Sequence, residues 1–147
     1  AVTGVQTCAL PISAEDLVAT DRLVRYRMRQ TGEHKIALRA VATTGRVGYL
    51  FEQGGRWALI IRGYVVNPSG EYIDVPWDDP ADPGYSTQAC NVNSGLGRFS
   101  ELEYHIPAIG GATGHTRCDD AAQVWAFRGP KAAIAAIAKT LLGAETV

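Results

Sequence analysis

The chain of 147 residues has little of what usually marks a metal site, a membrane protein or a nucleic-acid binder. Its three cysteines fit neither a disulfide framework nor a zinc set, because no second pair of ligands accompanies His115 and Cys118. No apolar run approaches the roughly 20 residues of a membrane span. The net charge of −1 does not provide the broad basic surface that nucleic acids require. We therefore expect no metal, no cofactor, no membrane contact and no nucleic-acid partner.

Turn residues and apolar side chains are plentiful. Sixteen glycines and seven prolines accompany a hydrophobic content of 46%, which is typical of a globular, turn-rich β domain. The periodicity of apolar residues predicts about seven strands, followed by a helix that begins at Pro130 and ends at Gly143. We therefore predict an all-β protein, an antiparallel β-sandwich with one C-terminal α-helix. The predicted strands are Val24–Met28, Lys35–Ala42, Arg46–Gln53, Arg56–Val66, Tyr85–Val92, Arg98–Pro107 and Gln123–Arg128.

The first residues are set apart from the rest. Val2–Ile12 resembles the translation of a common short-read sequencing adapter, and it lacks the basic start and long apolar middle of a secretory signal. We therefore treat residues 1–12 as a non-native segment and residues 13–147 as a single β-sandwich domain truncated at its N-terminus. A cut coding sequence would also have lost any upstream signal, so we predict no cellular location. Ser13 could cap a short helix over Ala14–Ala19, or this stretch could be a frayed end.

The stretch Arg98–Pro107 carries the most informative pattern in the chain. Apolar and polar residues alternate, so one face suits a core while the other carries two carboxylates and an imidazole. Two acids beside a titratable histidine fit an acid/base or polyol-binding set, and a solvated outer face is the alternative. Leu102, Tyr104 and Ile106 share the first face, and Phe99, Glu101, Glu103 and His105 share the second.

A loop rich in proline and aspartate, Glu71–Gly84, is of a length that often serves a function. Its aromatic and acidic side chains could form a sugar-stacking wall with polar partners, or an oxygen cluster for calcium, although the aspartates lack EF-hand spacing. The substrate-binding candidates are Tyr72, Asp74 and Trp77 from this loop, Glu101, and Arg62 from the strand Arg56–Val66. Trp77 could equally be a packed anchor of the loop.

The strand Arg56–Val66 is apolar on both faces, which predicts a central position in its sheet. We expect the main core to contain either Trp57, Leu59 and Ile61 or the alternate set Ala58, Ile60 and Tyr64. Leu102, Tyr104, Val124 and the helix stripe of Ile134, Ile137, Ala138 and Leu141 should lie nearby.

The acidic strand resembles a motif of the galactose mutarotase-like superfamily, which includes the aldose 1-epimerases. In that family a strand of the form Leu-Glu-x-Gln-x-Pro carries the catalytic base, and Leu102, Glu103, His105 and Pro107 fit this form with His105 in place of glutamine. The resemblance covers about Gly45–Arg128 and implies that Glu103 is the base. It also implies a supersandwich of about twice this length, of which the chain would be the C-terminal half.

Two departures from the family bear on catalysis. The general-acid histidines of the family would lie in the absent half, and His34 and His115 match no family motif. The change from glutamine to His105 places a group that titrates near neutral pH where the family has an amide.

The sequence features and the resemblance are compatible with three functions. The first is a carbohydrate-active domain, an isomerase of the aldose 1-epimerase type, in which Glu103 and His105 are catalytic. The second is a non-catalytic carbohydrate-binding module or subunit, and the third is a structural β-sandwich whose acids only face solvent. A small-molecule carbohydrate is the expected partner, and a truncated edge would favour self-association.

Overall fold

The computed structural model describes residues 5–9, 12–28, 32–76 and 78–145, with the backbone alone for 5–9. The protein is mostly β, its strand pairs are antiparallel, and one α-helix lies near the C-terminus. The fold class predicted from the sequence is therefore confirmed. The chain divides into two compact units, one of Ala1–Thr44 with Val66–Asp120 and one of Gly45–Val65 with Ala121–Val147.

The elements follow the predicted order closely. The strand at Arg46–Gln53 has the predicted bounds, and its successor ends at Tyr64 instead of Val66. None of the helices in the described ranges is long and apolar enough to cross a lipid bilayer. The strands are β1 (Val5–Ala9), β2 (Leu17–Ala19), β3 (Val24–Tyr26), β4 (His34–Leu38), β5 (Arg46–Gln53), β6 (Arg56–Tyr64), β7 (Thr87–Ser94), β8 (Gly97–Tyr104) and β9 (Ala122–Gly129). The helix α1 spans Lys131–Leu142, and 3-10 turns occupy Ala40–Ala42 and Gly111–Thr113.

The first unit is built on a four-stranded sheet in the order β1-β4-β7-β8, and β2 and β3 form a separate hairpin. Ile36 and Ala37 of β4 and Ala89 of β7 are buried, so both faces of the sheet's centre are covered. A tight turn leads from β7 into β8, where Gly97 has a φ of 123° that residues with a side chain rarely adopt. This turn fixes which residues of the two strands stand opposite each other.

The second unit packs α1 against a three-stranded sheet in the order β5-β6-β9. The strand β6 is central, as its apolar sequence predicted. Leu59 and Ile61 of β6 form a buried cluster with Ile134 and Ala138 of α1, and Trp57 packs against them. Of the two core sets that the sequence left open, the one with Trp57, Leu59 and Ile61 therefore faces the helix.

The edge strand β1 lies within the segment that the sequence set apart as non-native. Its backbone pairs with β4 over five residues, from Val5 opposite Leu38 to Ala9 opposite His34. These bonds join backbone groups, which every residue except proline provides in full. The pairing therefore makes little demand on the identity of the side chains in β1.

The helix considered for Ala14–Ala19 is not formed. Leu17–Ala19 instead pairs with Val24–Tyr26 as the hairpin of β2 and β3. Thr20 stabilises the turn of this hairpin, because its hydroxyl accepts hydrogen bonds from the backbone N–H groups of Arg22 and Leu23. Strand pairing and a turn cap thus outweigh the helix signal of Ser13.

Other local predictions are wrong, among them the following three. The predicted strand Lys35–Ala42 stops at Leu38, and a 3-10 turn takes its last residues. Val124, expected in the core, is 60% exposed, because it lies on the face of its sheet away from the residues that pack on α1. Ile106, expected on a core face, lies beyond the end of β8 and is 39% exposed.

Candidate functional site

One face of the first unit's sheet gathers polar side chains from three adjacent strands. The register places Cys90 of β7 opposite both Lys35 of β4 and Glu101 of β8, and it places Gln88 opposite Glu103. Side chains at opposite positions point to the same side of a sheet, and so do residues two apart in one strand. These five residues, Lys35, Gln88, Cys90, Glu101 and Glu103, therefore share one surface, here called the acid face.

The thiol of Cys90 donates a hydrogen bond of 3.1 Å to Oε2 of Glu101. Burial raises the pKa of Cys90 to about 12, and the hydrogen bond and charge of Glu101 and the charge of Glu103 add to this effect. The thiol is therefore protonated at neutral pH. Since the thiolate is the nucleophilic form of cysteine, nucleophilic catalysis by Cys90 is not favoured here.

Glu103 and His105 lie against each other at the end of β8, with 3.5 Å between Oε2 of the carboxylate and Nε2 of the ring. The other ring nitrogen, Nδ1, lies 3.0 Å from the backbone oxygen of Tyr85. A carbonyl oxygen only accepts hydrogen bonds, so Nδ1 carries a proton and Nε2 is the atom that can exchange one. A single proton between Oε2 and Nε2 makes their contact attractive, which suits the pair to proton transfer.

Hydrogen bonds from neighbouring residues fix the backbone of both Glu103 and His105. The hydroxyl of Thr87 donates a hydrogen bond of 2.6 Å to the backbone oxygen of Glu103. The backbone N–H of His105 donates one of 2.8 Å to the oxygen of Ser86. His105 is therefore fixed in position although it lies just outside the β8 ladder.

Gln88 is the most unusual member of the acid face. It is 2% exposed, and within the described part of the chain neither Nε2 nor Oε1 of its side chain has a hydrogen-bond partner. A buried polar group without a partner costs about 1–3 kcal/mol. Such a group on a surface with two carboxylates is a candidate contact for a bound molecule or ion.

The hairpin of β2 and β3 contributes Tyr26 to the surroundings of Cys90. Burial raises the pKa of Tyr26, and the charges of Cys90 and Asp16 act in the same direction. The hydroxyl of Tyr26 is buried, and no hydrogen-bond partner for it lies among the residues described here. A second side chain with an unsatisfied polar group, after Gln88, thus lies near the acid face.

The predicted site residues divide into two groups. Glu101, Glu103 and His105 come together as the alternation predicted, with Glu101 exposed and the other two half-buried. Asp74 also reaches this surface, because its carboxylate lies 3.4 Å from the ammonium of Lys35.

Among the remaining candidates, Tyr72 does not contribute to the acid face. Tyr72 is 3% exposed, and its hydroxyl donates a hydrogen bond of 3.0 Å to the backbone oxygen of Asn67, so its ring is no stacking surface for a sugar. Arg62 lies on β6 in the second unit. Trp77 lies outside the described residues.

Sequence reasoning missed Gln88, Cys90 and Tyr26. The alternation in β7 places Gln88 and Cys90 on one face, but only the register with β8 shows that this is the face of the glutamates. The chain matches no protein-family model, no curated protein and no solved structure.

Proposed function

We propose that the acid face binds a sugar, and that Glu103 and His105 move the protons that open and close its ring. The observation that supports this most directly is the 3.5 Å contact between Oε2 of Glu103 and Nε2 of His105. The side chain of Glu103 is 41% exposed, so a small molecule can reach its carboxylate. The resemblance of this strand to that of the aldose 1-epimerases supports the same assignment.

The reaction requires a base and an acid side by side. In mutarotation the anomeric hydroxyl loses a proton, the bond between C1 and the ring oxygen breaks, and the ring oxygen gains a proton. Both oxygens are bonded to C1, so the groups that serve them must be neighbours. Glu103 as a carboxylate takes the hydroxyl proton, and His105 as an imidazolium gives the proton at Nε2 to the ring oxygen.

Reversal of these steps completes the cycle. The open-chain aldehyde turns about its C1–C2 bond, and the ring then closes on the other side of the carbonyl. The carbonyl oxygen recovers its proton from Glu103, while His105 recovers one from the attacking hydroxyl, so no proton is gained or lost. Glu101 is exposed and lies two residues before Glu103. Its carboxylate can accept a hydrogen bond from another hydroxyl of the sugar.

Polarimetry on freshly dissolved α-D-glucose and α-D-galactose tests this proposal. The assay uses a dilute, weakly catalytic buffer, and the uncatalysed rate is subtracted. We expect Glu103→Gln to abolish the protein-dependent rate, Glu101→Gln to weaken binding more than the rate, and Glu71→Gln, an exposed acid of the same unit, to change neither. Equal rates for the parent chain and Glu103→Gln would overturn the assignment.

A sugar-binding module without catalysis is the second candidate. It is favoured by the limited exposure of His105, at 19%, which restricts the access of a substrate to its ring. Calorimetric titration separates the two functions. Sugar binding without any protein-dependent mutarotation, with affinity lowered by both Glu101→Gln and Glu103→Gln, would support the module.

A further inference from the structure

The acid face also has the geometry of a metal-binding site. The Sγ atom of Cys90 and carboxylate oxygens of Glu101 and Glu103 all lie within 4.8 Å of one another. A tetrahedral zinc ion, with Zn–S of about 2.3 Å and Zn–O of about 2.0–2.2 Å, separates such ligand atoms by about 3.4–3.6 Å. The distance of 3.1 Å between Sγ of Cys90 and Oε2 of Glu101 is close to this value. Side-chain movements of about an ångström would bring the three ligand atoms to these separations.

Gln88 provides an independent indication of a ligand at this place. It shares the acid face directly across from Glu103, and it is two residues from Cys90 on the same strand. Its amide is buried and, among the described residues, has no hydrogen-bond partner. An amide oxygen can bind a metal ion or accept a hydrogen bond from metal-bound water, and either contact would satisfy Gln88.

From this arrangement we propose that Cys90, Glu101 and Glu103 bind one divalent transition-metal ion, for which zinc is the preferred metal, and that Gln88 supports the site. A sulfur ligand selects zinc and similar ions over magnesium and calcium, which prefer sites built of oxygen alone. Three protein ligands leave a fourth position of the tetrahedron for water or a substrate oxygen.

The neighbouring residues fit this assignment. His105, whose Nε2 lies 3.5 Å from Oε2 of Glu103, can orient that carboxylate from outside the ligand set. The ligands come from β7 and β8, which are paired over eight residues from Thr87 opposite Tyr104 to Ser94 opposite Gly97. The backbone that carries the site is therefore well supported.

The metal site does not rest on the proposed sugar chemistry, because metal binding is measured without sugar. The two proposals share Glu103, however, and a carboxylate oxygen bound to zinc cannot also take a proton. If both hold, added zinc slows mutarotation and chelation restores it. Failure of either proposal leaves the result for the other intact.

Titration with Co²⁺, after treatment with EDTA and its removal, tests the metal site. We expect a near-ultraviolet charge-transfer band from a thiolate–cobalt bond, and its loss when Zn²⁺ displaces the cobalt. Cys90→Ser should remove the band, Glu101→Gln and Glu103→Gln should each weaken binding by at least about tenfold, and Gln88→Met should weaken it by about 10–100-fold as a supporting residue.

The double variant Cys8→Ser with Cys118→Ser is the matched control. The Cys118 thiol lies outside the acid face, and the side chain of Cys8 lies outside the described residues. The control should keep the band and the affinity of the parent chain. The proposal is overturned if the parent gives no thiolate–cobalt band, if the band persists in Cys90→Ser, or if Ca²⁺ or Mg²⁺ displaces the cobalt as readily as Zn²⁺ does.

Discussion

Substitution of Gln88 measures how much the acid face lowers the free energy of unfolding. Its side chain is 2% exposed and, in the part of the chain that the structure describes, its amide has no hydrogen-bond partner. A buried polar group in this state costs about 1–3 kcal/mol. Methionine has a similar length and volume but no amide, so Gln88→Met removes the cost with little change in packing. We expect the free energy of unfolding to rise by about 1–3 kcal/mol.

Asn91 is the matched control for this substitution. It is on the same strand and is 1% exposed, but its amide is satisfied. Its Nδ2 donates a hydrogen bond of 2.7 Å to the backbone oxygen of Gly32, and its Oδ1 accepts one of 3.2 Å from the hydroxyl of Ser100. Asn91→Leu leaves both partners unsatisfied and should lower the free energy of unfolding by about 1–3 kcal/mol. The two substitutions should therefore have opposite signs.

Urea unfolding at 25 °C in the presence of EDTA measures both changes without interference from bound metal. The urea midpoint should rise for Gln88→Met and fall for Asn91→Leu. The slope of the free energy of unfolding against urea concentration should stay constant. A fall for Gln88→Met that equals the fall for Asn91→Leu would show that the Gln88 amide is already satisfied. Gln88 would then give no indication of a bound ligand.

Two other expectations concern stability. Leu59→Ala, in the buried cluster between β6 and α1, should cost about 2–5 kcal/mol in urea unfolding, whereas Val124→Ala at an exposed position should change stability by less than about 0.5 kcal/mol. Burial and the neighbouring Glu101 raise the pKa of Cys90 from 9.0 to about 12, so the folded chain keeps a proton that the unfolded chain releases. This contribution to stability is fully present below pH 9 and is lost as the pH rises from about 9 to about 12. Cys90→Ser should make the decline of the urea midpoint over that range shallower, and an unchanged decline would contradict the assignment.

Local sequence patterns predicted the elements better than the site. The bounds of β5, the central place of β6 and the end of α1 at Gly143 follow from residue periodicity and from glycine turn signals. The alternation in β8 likewise placed Glu101 and Glu103 on one face. Each of these features depends on neighbours within a few residues in the sequence.

The features that were missed depend on contacts between distant parts of the chain. Nothing in the sequence of β7 shows that Cys90 stands opposite Glu101, because register follows from packing and turn geometry. The burial of Tyr72 depends on how its loop folds back, where the backbone N–H of Tyr72 donates to the oxygen of Pro83. The helix signal at Ser13 was outweighed in the same way, by the pairing of Leu17–Ala19 with β3.

The edge position of β1 has a consequence for how this protein meets other chains. The outer edge of β4 pairs with β1 through backbone hydrogen bonds. Any extended peptide of similar length could form the same hydrogen bonds with this edge. In these terms β4 is an acceptor for strand addition, and Val5–Ala9 acts as a tethered peptide ligand for it. The pairing of Val5–Ala9 with β4 depends on the effective concentration that the covalent connection between them provides. If β1 is removed, the unpaired edge of β4 becomes a template on which a second copy of the chain can pair.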